Sequence, residues 1–260
     1  MINFKCGSIR NRLVEFSPAF VAFLIFLSPG SFISAQTPIS FGVQGSMNFT
    51  FRILNAPESD DLKESQMDYI ESRETAGIGY RAAFVGNIGL SDWWTLEAGV
   101  SYTENTYNFK ESTLQQTNSS PPPGVLPPLR PDIRVYERRS TYRYTGIPVR
   151  MIWNVGTENV KFLAHIGVSP QFLVEGEATE ERTRDDRIIE IETTDTTEDQ
   201  EDFNITPFMG FGAEFKLNRV LSLRLEGVAR YGALNIMNSG PIESRLYSSE
   251  FNAGLYCRIN

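Results

Sequence analysis

Between Phe203 and Asn235 the chain alternates apolar and polar residues so regularly that it can only be read as a pair of β-strands. Ile205, Met209, Phe211, Ala213, Phe215 and Leu217 fall on one side; Asn204, Thr206, Gly210, Gly212, Glu214 and Lys216 fall on the other. After Asn218-Arg219 the pattern resumes, with Leu221, Leu223, Leu225, Ala229 and Tyr231 set against Ser222, Arg224, Glu226 and Arg230. Side chains alternate sides only along a strand, so this is a hairpin with one apolar and one polar face. Pairing Leu217 with Leu221 across the turn sets Glu214 opposite Arg224. Which face meets water decides the class of protein.

The first 35 residues read differently. Lys5, Arg10 and Arg12 precede a nine-residue apolar run, Ala19 to Leu27, followed by Pro29-Gly30 and the small-residue end Ile33-Ser34-Ala35. This is the pattern of a secretory signal peptide cleaved after Ala35; a spanning helix would need ~20 apolar residues. Its removal leaves 21 basic against 31 acidic residues, a net charge of −10, and Cys257 without a disulfide partner. Residues 36–260 are expected to form a single exported domain held without disulfides.

Alternation recurs along that domain. Ile39, Phe41, Val43, Met47, Phe49, Phe51 and Ile53 face one way along the first strand, and the second runs from Ile78 to Leu90. A third carries Leu96, Ala98, Val100 and Tyr102, a fourth spans about Val135 to Val155, and a fifth carries Val160, Phe162, Ala164, Ile166 and Val168. The opening hairpin supplies strands six and seven, and Phe251 to Ile259 the eighth. Long polar connections (Asn55–Glu74, about Glu104–Arg134, Glu177–Asp202, Asn235–Ser248) alternate with tight turns. The second of them holds the run PPPGVLPPLRP, which cannot be interior strand because proline lacks the backbone donor. It reads as a stiff exposed loop or as a peptide-recognition segment. The third holds twelve acids and three arginines in 26 residues.

Two all-β architectures fit: a soluble lipocalin-like barrel with its apolar face inside, and a transmembrane barrel with that face in lipid. Three features favour the second. The polar face is rich in small residues (Gly42, Ser46, Gly79, Gly99, Gly167, Gly210, Gly212, Gly254), as a crowded eight-stranded interior requires. Aromatics fall near strand ends, with Trp93, Trp94 and Trp153 toward the tight turns and Phe51, Tyr102 and Tyr231 toward the long loops, like the paired girdles of membrane barrels. Long and short connections alternate as they do in such barrels. The expected fold is thus an eight-stranded antiparallel up-and-down transmembrane β-barrel in the outer membrane. Its polar face becomes a lumen carrying Arg52, Arg81, Glu97, Arg150, Lys161, His165, Glu214, Lys216, Arg224, Glu226, Arg230 and Arg258. Either these charges form a structural plug of paired ions, the favoured reading, or they line an ion path.

Tyr144-Thr145-Gly146-Ile147-Pro148-Val149 is similar to the tyrosine-x-x-isoleucine-proline-leucine strand of the small outer-membrane β-barrels of Bacteroidota related to the PorT-like family. Gly210-Phe211-Gly212-Ala213-Glu214 and Arg230-Tyr231-Gly232-Ala233-Leu234-Asn235-Ile236 resemble that group's GxGxE and RYxxxLxNI segments. The resemblance covers about residues 36–260. It implies the barrel fold and an outer-membrane location, with an association with secretion or gliding as a further implication.

No catalytic constellation accompanies these patterns. The sole histidine, His165, sits mid-strand on the lumen face, where a general base would need a partner and substrate access. Cys257 lies on the apolar face without a base. The acidic stretch lacks the DxDxDG spacing of a calcium loop, and no glycine-rich phosphate loop occurs. No cofactor, metal or nucleic acid is expected. Outer-membrane lipid, and other envelope or secretion proteins reached through the external loops, are the expected partners. A non-enzymatic scaffold is the favoured function; an outer-membrane enzyme, a small-solute transporter or a soluble binding barrel are the alternatives.

Overall fold

The computed structural model describes residues 39–55, 67–115, 132–157, 159–184, 187–237 and 243–259, all in the unit Pro38–Asn260. The expected signal peptide (1–35) and the proline run (121–131) lie outside the described residues. The described chain forms β1 (Ile39–Asn55), β2 (Glu74–Gly89), β3 (Trp94–Gln115), β4 (Asp132–Gly146), β5 (Val149–Gly156), β6 (Val160–Arg184), β7 (Arg187–Asp195), β8 (Phe203–Lys216), β9 (Leu221–Tyr231) and β10 (Glu243–Ile259).

All pairings are antiparallel, and they close a ring. β1 pairs with β2, β2 with β3, β6 with β8, β8 with β9 and β9 with β10. β10 returns to β1, from Ile39 opposite Ile259 to Asn55 opposite Glu243. The position between β3 and β6 is shared end to end by β4 and β5, each of which pairs with both neighbours. The expected fourth strand is thus interrupted at Ile147-Pro148. Proline has no N–H to give the ladder, and the neighbours bridge the gap through Gly99 N to Pro148 O at 3.1 Å and Ile147 N to Pro170 O at 3.0 Å. Eight ring positions are therefore built from nine strands. The tenth, β7, pairs with β6 alone.

The apolar face points outward. Phe211 is 75% exposed and Phe162 67%, whereas Asn48 and Thr50 on the opposite face of β1 are fully buried. Polar-in and apolar-out is the inverse of a soluble barrel and is stable only with hydrocarbon around it. Among the described residues no helix is long and apolar enough to cross a membrane; the crossing is made by strands.

The belt of outward apolar side chains has sharp limits. At the tight-turn end Trp94 stands opposite Trp153, with Trp93 in the adjoining turn. At the other end Phe51, Tyr247 and Tyr231 lie in one row across β1, β10 and β9, and the Tyr80 and Tyr102 rings are 6.2 Å apart. Trp94 to Tyr102 is nine residues of β3, matching the ~9–11 residues a tilted strand needs to cross a bilayer. Outside that level the outward positions turn charged at Glu104, Arg143 and Glu175.

Two segments expected as loops, Glu104–Arg134 and Glu177–Asp202, contain strand among their described residues. β3 continues to Gln115, β4 begins at Asp132, and the acidic stretch 177–202 forms the end of β6, the β6–β7 hairpin and the 3-10 turn Thr197–Asp199. Beyond the membrane both faces of a strand can meet water, so no apolar alternation marks it, and cross-strand pairs such as Lys110–Glu137 and Thr179–Thr193 supply the side-chain contacts. The outcome is a sheet of β3, β4, β6 and β7 standing ~30–40 Å of strand beyond the belt.

A lipid-facing cation should locate the belt. Phe84→Lys, at mid-belt, is expected to lower unfolding free energy in lipid vesicles by ~2–4 kcal/mol, and Phe51→Lys, at the rim, by ~0–1 kcal/mol. Equal costs at the two sites, measured by urea titration, would contradict the outward orientation.

Candidate functional site

Alternation along eight ring positions sends every second side chain into one narrow lumen. Four arginines and four glutamates meet there: Arg81, Arg150, Arg224 and Arg230 with Glu97, Glu214, Glu226 and Glu250. At the centre Arg150 bridges two strands' carboxylates, donating Nε to Glu97 Oε1 at 2.7 Å and Nη1 to Glu226 Oε1 at 3.0 Å. Arg224 donates Nη1 to Glu97 Oε2 at 2.9 Å and Nη2 to Glu214 Oε2 at 2.7 Å. Neutral donors complete the acceptors: Gln44 Nε2 reaches Glu97 at 3.0 Å, Tyr256 Oη reaches Glu97 at 3.1 Å, and Asn252 Nδ2 reaches Glu226 at 2.8 Å. Arg230 Nε lies 2.7 Å from Glu250 Oε1, and Arg81 Nη1 donates to Gln44 Oε1 at 3.4 Å. Buried charges are tolerated only when paired and hydrogen-bonded, and this set is balanced in sign.

His165 belongs to this network. Its ring lies 3.4 Å from Glu226 and 3.3 Å from Arg150 Nη1, and meets Phe208 edge-on at 6.1 Å. With a carboxylate on one side and a guanidinium on the other, the imidazole is held in place and has no nucleophile beside it among its described partners. Glycines make the room. A Cβ at Gly210 would sit 2.6 Å from His165 Nε2, and one at Gly42 would collide with the Tyr256 ring. The small residues of the polar face therefore set aside space for particular large ones.

The remaining lumen residues lie nearer the ends. Arg52 pairs with Glu74 at the long-loop side, 4.9 Å above the Tyr107 ring. Lys161 is half-buried near the tight-turn mouth, while Lys216 and Arg258 are exposed there. The reading that put Lys216 and Arg258 inside a closed lumen is corrected: they follow the last buried lumen residues of β8 and β10, where the strands leave the packed interior.

Several contributors escape the sequence pattern. Tyr256 is an aromatic on the polar face, and Glu250 and Tyr247 lie upstream of the apolar run by which the last strand is recognised. The long-loop end is capped by an apolar cluster of Tyr107, Tyr142, Tyr144, Ile236 and Leu246, in which the Tyr107 and Tyr142 hydroxyls share a 3.0 Å hydrogen bond. Tyr144, three residues before Ile147-Pro148, is 2% exposed, so the tyrosine of that motif packs into the cap. Below it a cavity of ≈ 20 Å³ between Thr103, Asn105, Gln171, Thr206 and Arg230 is large enough for about one water.

A second charged group stands outside the belt. On the outward face of the extended sheet Arg143 donates to Glu104 at 3.0 Å, Glu175 at 2.6 Å and Glu177 at 3.2 Å, joining β3, β4 and β6. The hydrogen bonds to Glu104 and Glu175 hold this guanidinium's pKa above its ordinary value. Among the described residues no cluster of three or more His, Cys, Asp or Glu is arranged to hold a metal.

The lumen network can be tested by removing one acid at a time. Glu226→Ala removes, at nearly complete burial, one of Arg150's two carboxylates together with the partner of His165 and Asn252, and is expected to cost ~3–5 kcal/mol. Glu214→Ala leaves Arg224 its bond to Glu97, so its cost should stay below ~2 kcal/mol. A urea midpoint equally displaced by both variants would show that the network is not centred on Glu226.

Solved structures similar to this chain have little sequence in common with it. Neisserial surface protein A is 12% identical, with 84% of this chain and 97% of that one covered and a TM-score of 0.40. The N-terminal β-barrel domain of Pseudomonas aeruginosa OprF is 9% identical, with 86% and 100% covered and a TM-score of 0.36. The Escherichia coli outer membrane protease OmpT is 11% identical, with 86% and 96% covered and a TM-score of 0.40. No curated protein sequence matches the chain. The family model described as outer membrane protein beta-barrel domain matches residues 34–238, and the chain therefore belongs to the outer membrane protein β-barrel domain family.

Proposed function

We propose that this protein is a non-enzymatic, non-conducting outer-membrane barrel whose work is done by the sheet it carries beyond the membrane. The observation that carries this reading is how the lumen is filled. Its centre is occupied by mutually bonded ions and its long-loop end by the Tyr107–Tyr142–Tyr144 cap, so paired charges and packed rings take up its space. Such a filling favours a structural plug over an ion path. The one histidine is enclosed in the same network, which argues against a base acting on an external substrate.

The extended sheet, by contrast, displays unsaturated chemistry. Ile188 and Ile191 of β7 are about 60% exposed beside an acidic hairpin (57% and 61%), and β7 offers one strand edge that pairs with no other strand among the described residues. Exposed edges and rimmed apolar residues are features by which proteins recruit others. The similarity of Tyr144–Val149 to PorT-like barrels makes envelope secretion proteins the first partners to seek.

Trimming the hairpin tests the reading. Residues 196–202 should be kept, because Leu173 N donates to Asp202 O at 2.8 Å and Gly176 N to Thr197 Oγ1 at 2.9 Å. Replacing 178–195 by a short turn is expected to preserve heat-modifiable gel mobility while removing crosslinks to neighbouring envelope proteins in native membranes. In planar bilayers the intact protein should show no unitary conductance. Steady channels, or peptide or lipid turnover lost in His165→Ala, would reject the proposal.

A further inference from the structure

The tight-turn mouth of the lumen is built unlike the rest of the barrel. Lys161 of β6, Lys216 of β8, Arg219 of the β8–β9 turn and Arg258 of β10 line one pocket together with Glu214, Asn218 and Ser222. Register places them there: Lys161 stands opposite Glu214, Lys216 opposite Ser222, and Arg258 N donates to Val220 O at 2.8 Å. The one acid of the group is already engaged, since both Nε and Nη2 of Arg224 donate to Glu214 Oε2 at 3.2 and 2.7 Å. Among the described residues four cations are therefore left around a pocket open to water, in a chain whose net charge is −8.

This concentration is not required by the fold. Deeper in the lumen Arg150, Arg224 and Arg230 each have a glutamate within 3.0 Å, and like charges brought together cost stability unless something offsets them. The turn also fixes the depth. Leu217 and Val220 flank Asn218-Arg219 and are 57% and 48% exposed, so they sit at the lipid edge with the pocket beside them, at the level of headgroups. Asn218 Oδ1 accepts from Val220 N and Leu221 N, both at 2.8 Å, which holds the turn in shape before any ligand arrives.

We propose that this mouth is a binding site for a phosphate-ester anion. A tetrahedral phosphate offers several charged acceptors at once, suited to two ammonium groups and two guanidinium forks on different strands, whereas a single carboxylate would be served by one arginine. The same chemistry is presented by the headgroup of an anionic phospholipid in the adjacent leaflet and by a free phosphate in the aqueous space. Lysine and arginine near an anionic surface each strengthen binding about fivefold, so removing three of them should be easy to detect. The site is independent of any partner on the opposite end of the barrel.

The test has two arms, using the folded full-length barrel. In the first, phosphatidylglycerol retention is compared with phosphatidylcholine retention by native mass spectrometry. In the second, sodium phosphate is titrated into lipid-free protein in neutral detergent and followed by NMR shifts of the mouth residues. Lys161→Gln, Lys216→Gln and Arg258→Gln are combined, with heat-modified gel mobility as the folding check. If that triple variant fails to fold, Lys216→Gln with Arg219→Gln, both exposed, takes its place. A phosphatidylglycerol preference that drops at least about tenfold in the variant identifies a lipid headgroup site. Saturable phosphate shifts lost in the variant, without lipid preference, identify a free phosphate site. Equal behaviour of wild type and variant in both arms overturns the proposal.

Discussion

In hydrocarbon no water is available to a strand edge, so the pairing of β1 with β10 is the interaction on which the barrel depends. Seventeen residues of each strand meet in unbroken register, from Ile39 with Ile259 to Asn55 with Glu243. That contact is long-range, joining strands about two hundred residues apart, and it turns an open sheet with two exposed edges into a ring with none. Once the ring is closed, alternation does the rest, because each residue is committed to lipid or to lumen.

Closure creates a second constraint inside. Eight positions enclose a space only wide enough for side chains, and the inward residues of these strands include four arginines and four glutamates. Their arrangement follows from who can reach whom. Arg150 and Glu97 are direct cross-strand neighbours, as are Glu214 and Arg224, whereas Arg150 reaches Glu226, and Arg224 reaches Glu97, across the lumen. The cross-lumen bonds tie together strands that do not touch in the sheet. They make the interior a second fastening of the ring, one whose strength depends on exclusion of water and on every acid keeping its base.

The parts of this design visible in the sequence are those in which one face meets an apolar medium. Apolar alternation in β1, β2, β8 and β9 reveals strand, face and even pairing, down to Glu214 opposite Arg224. The Trp94–Trp153 and Phe51–Tyr231 levels follow from where aromatics fall along those strands. Alternation disappears where strands leave the membrane, so the outer halves of β3 and β6 and all of β7 read as polar loops. Inside the lumen a different signal is lost. Tyr256 and Tyr144 look like lipid-facing aromatics by type but occupy polar-face positions, and for Tyr256 only the neighbouring glycines, Gly42 above all, hint that a large ring is accommodated there. The cross-lumen partners of Glu97 and Glu226 are fixed by ring geometry, which one strand's pattern does not contain.

The two ends of the barrel consequently answer to different physics. At the tight-turn end the strands stop almost as soon as they leave the belt, so cations at Lys161, Lys216, Arg219 and Arg258 stay close to headgroup depth. At the other end β3, β4 and β6 continue as a hydrogen-bonded sheet into water, where their stability can no longer come from lipid. It comes instead from ladders of backbone bonds and from charge pairs such as Arg143 with Glu104, Glu175 and Glu177, each of them exposed enough to be weak alone. One arginine shared among three acids ties three strands while ordering a single long cationic side chain, which lowers the entropy spent per contact. The acids that surround it exceed the bases, and β7 adds more without a further strand to pair with. The sheet ends at β7, which pairs with β6 on one edge and with no other strand among the described residues.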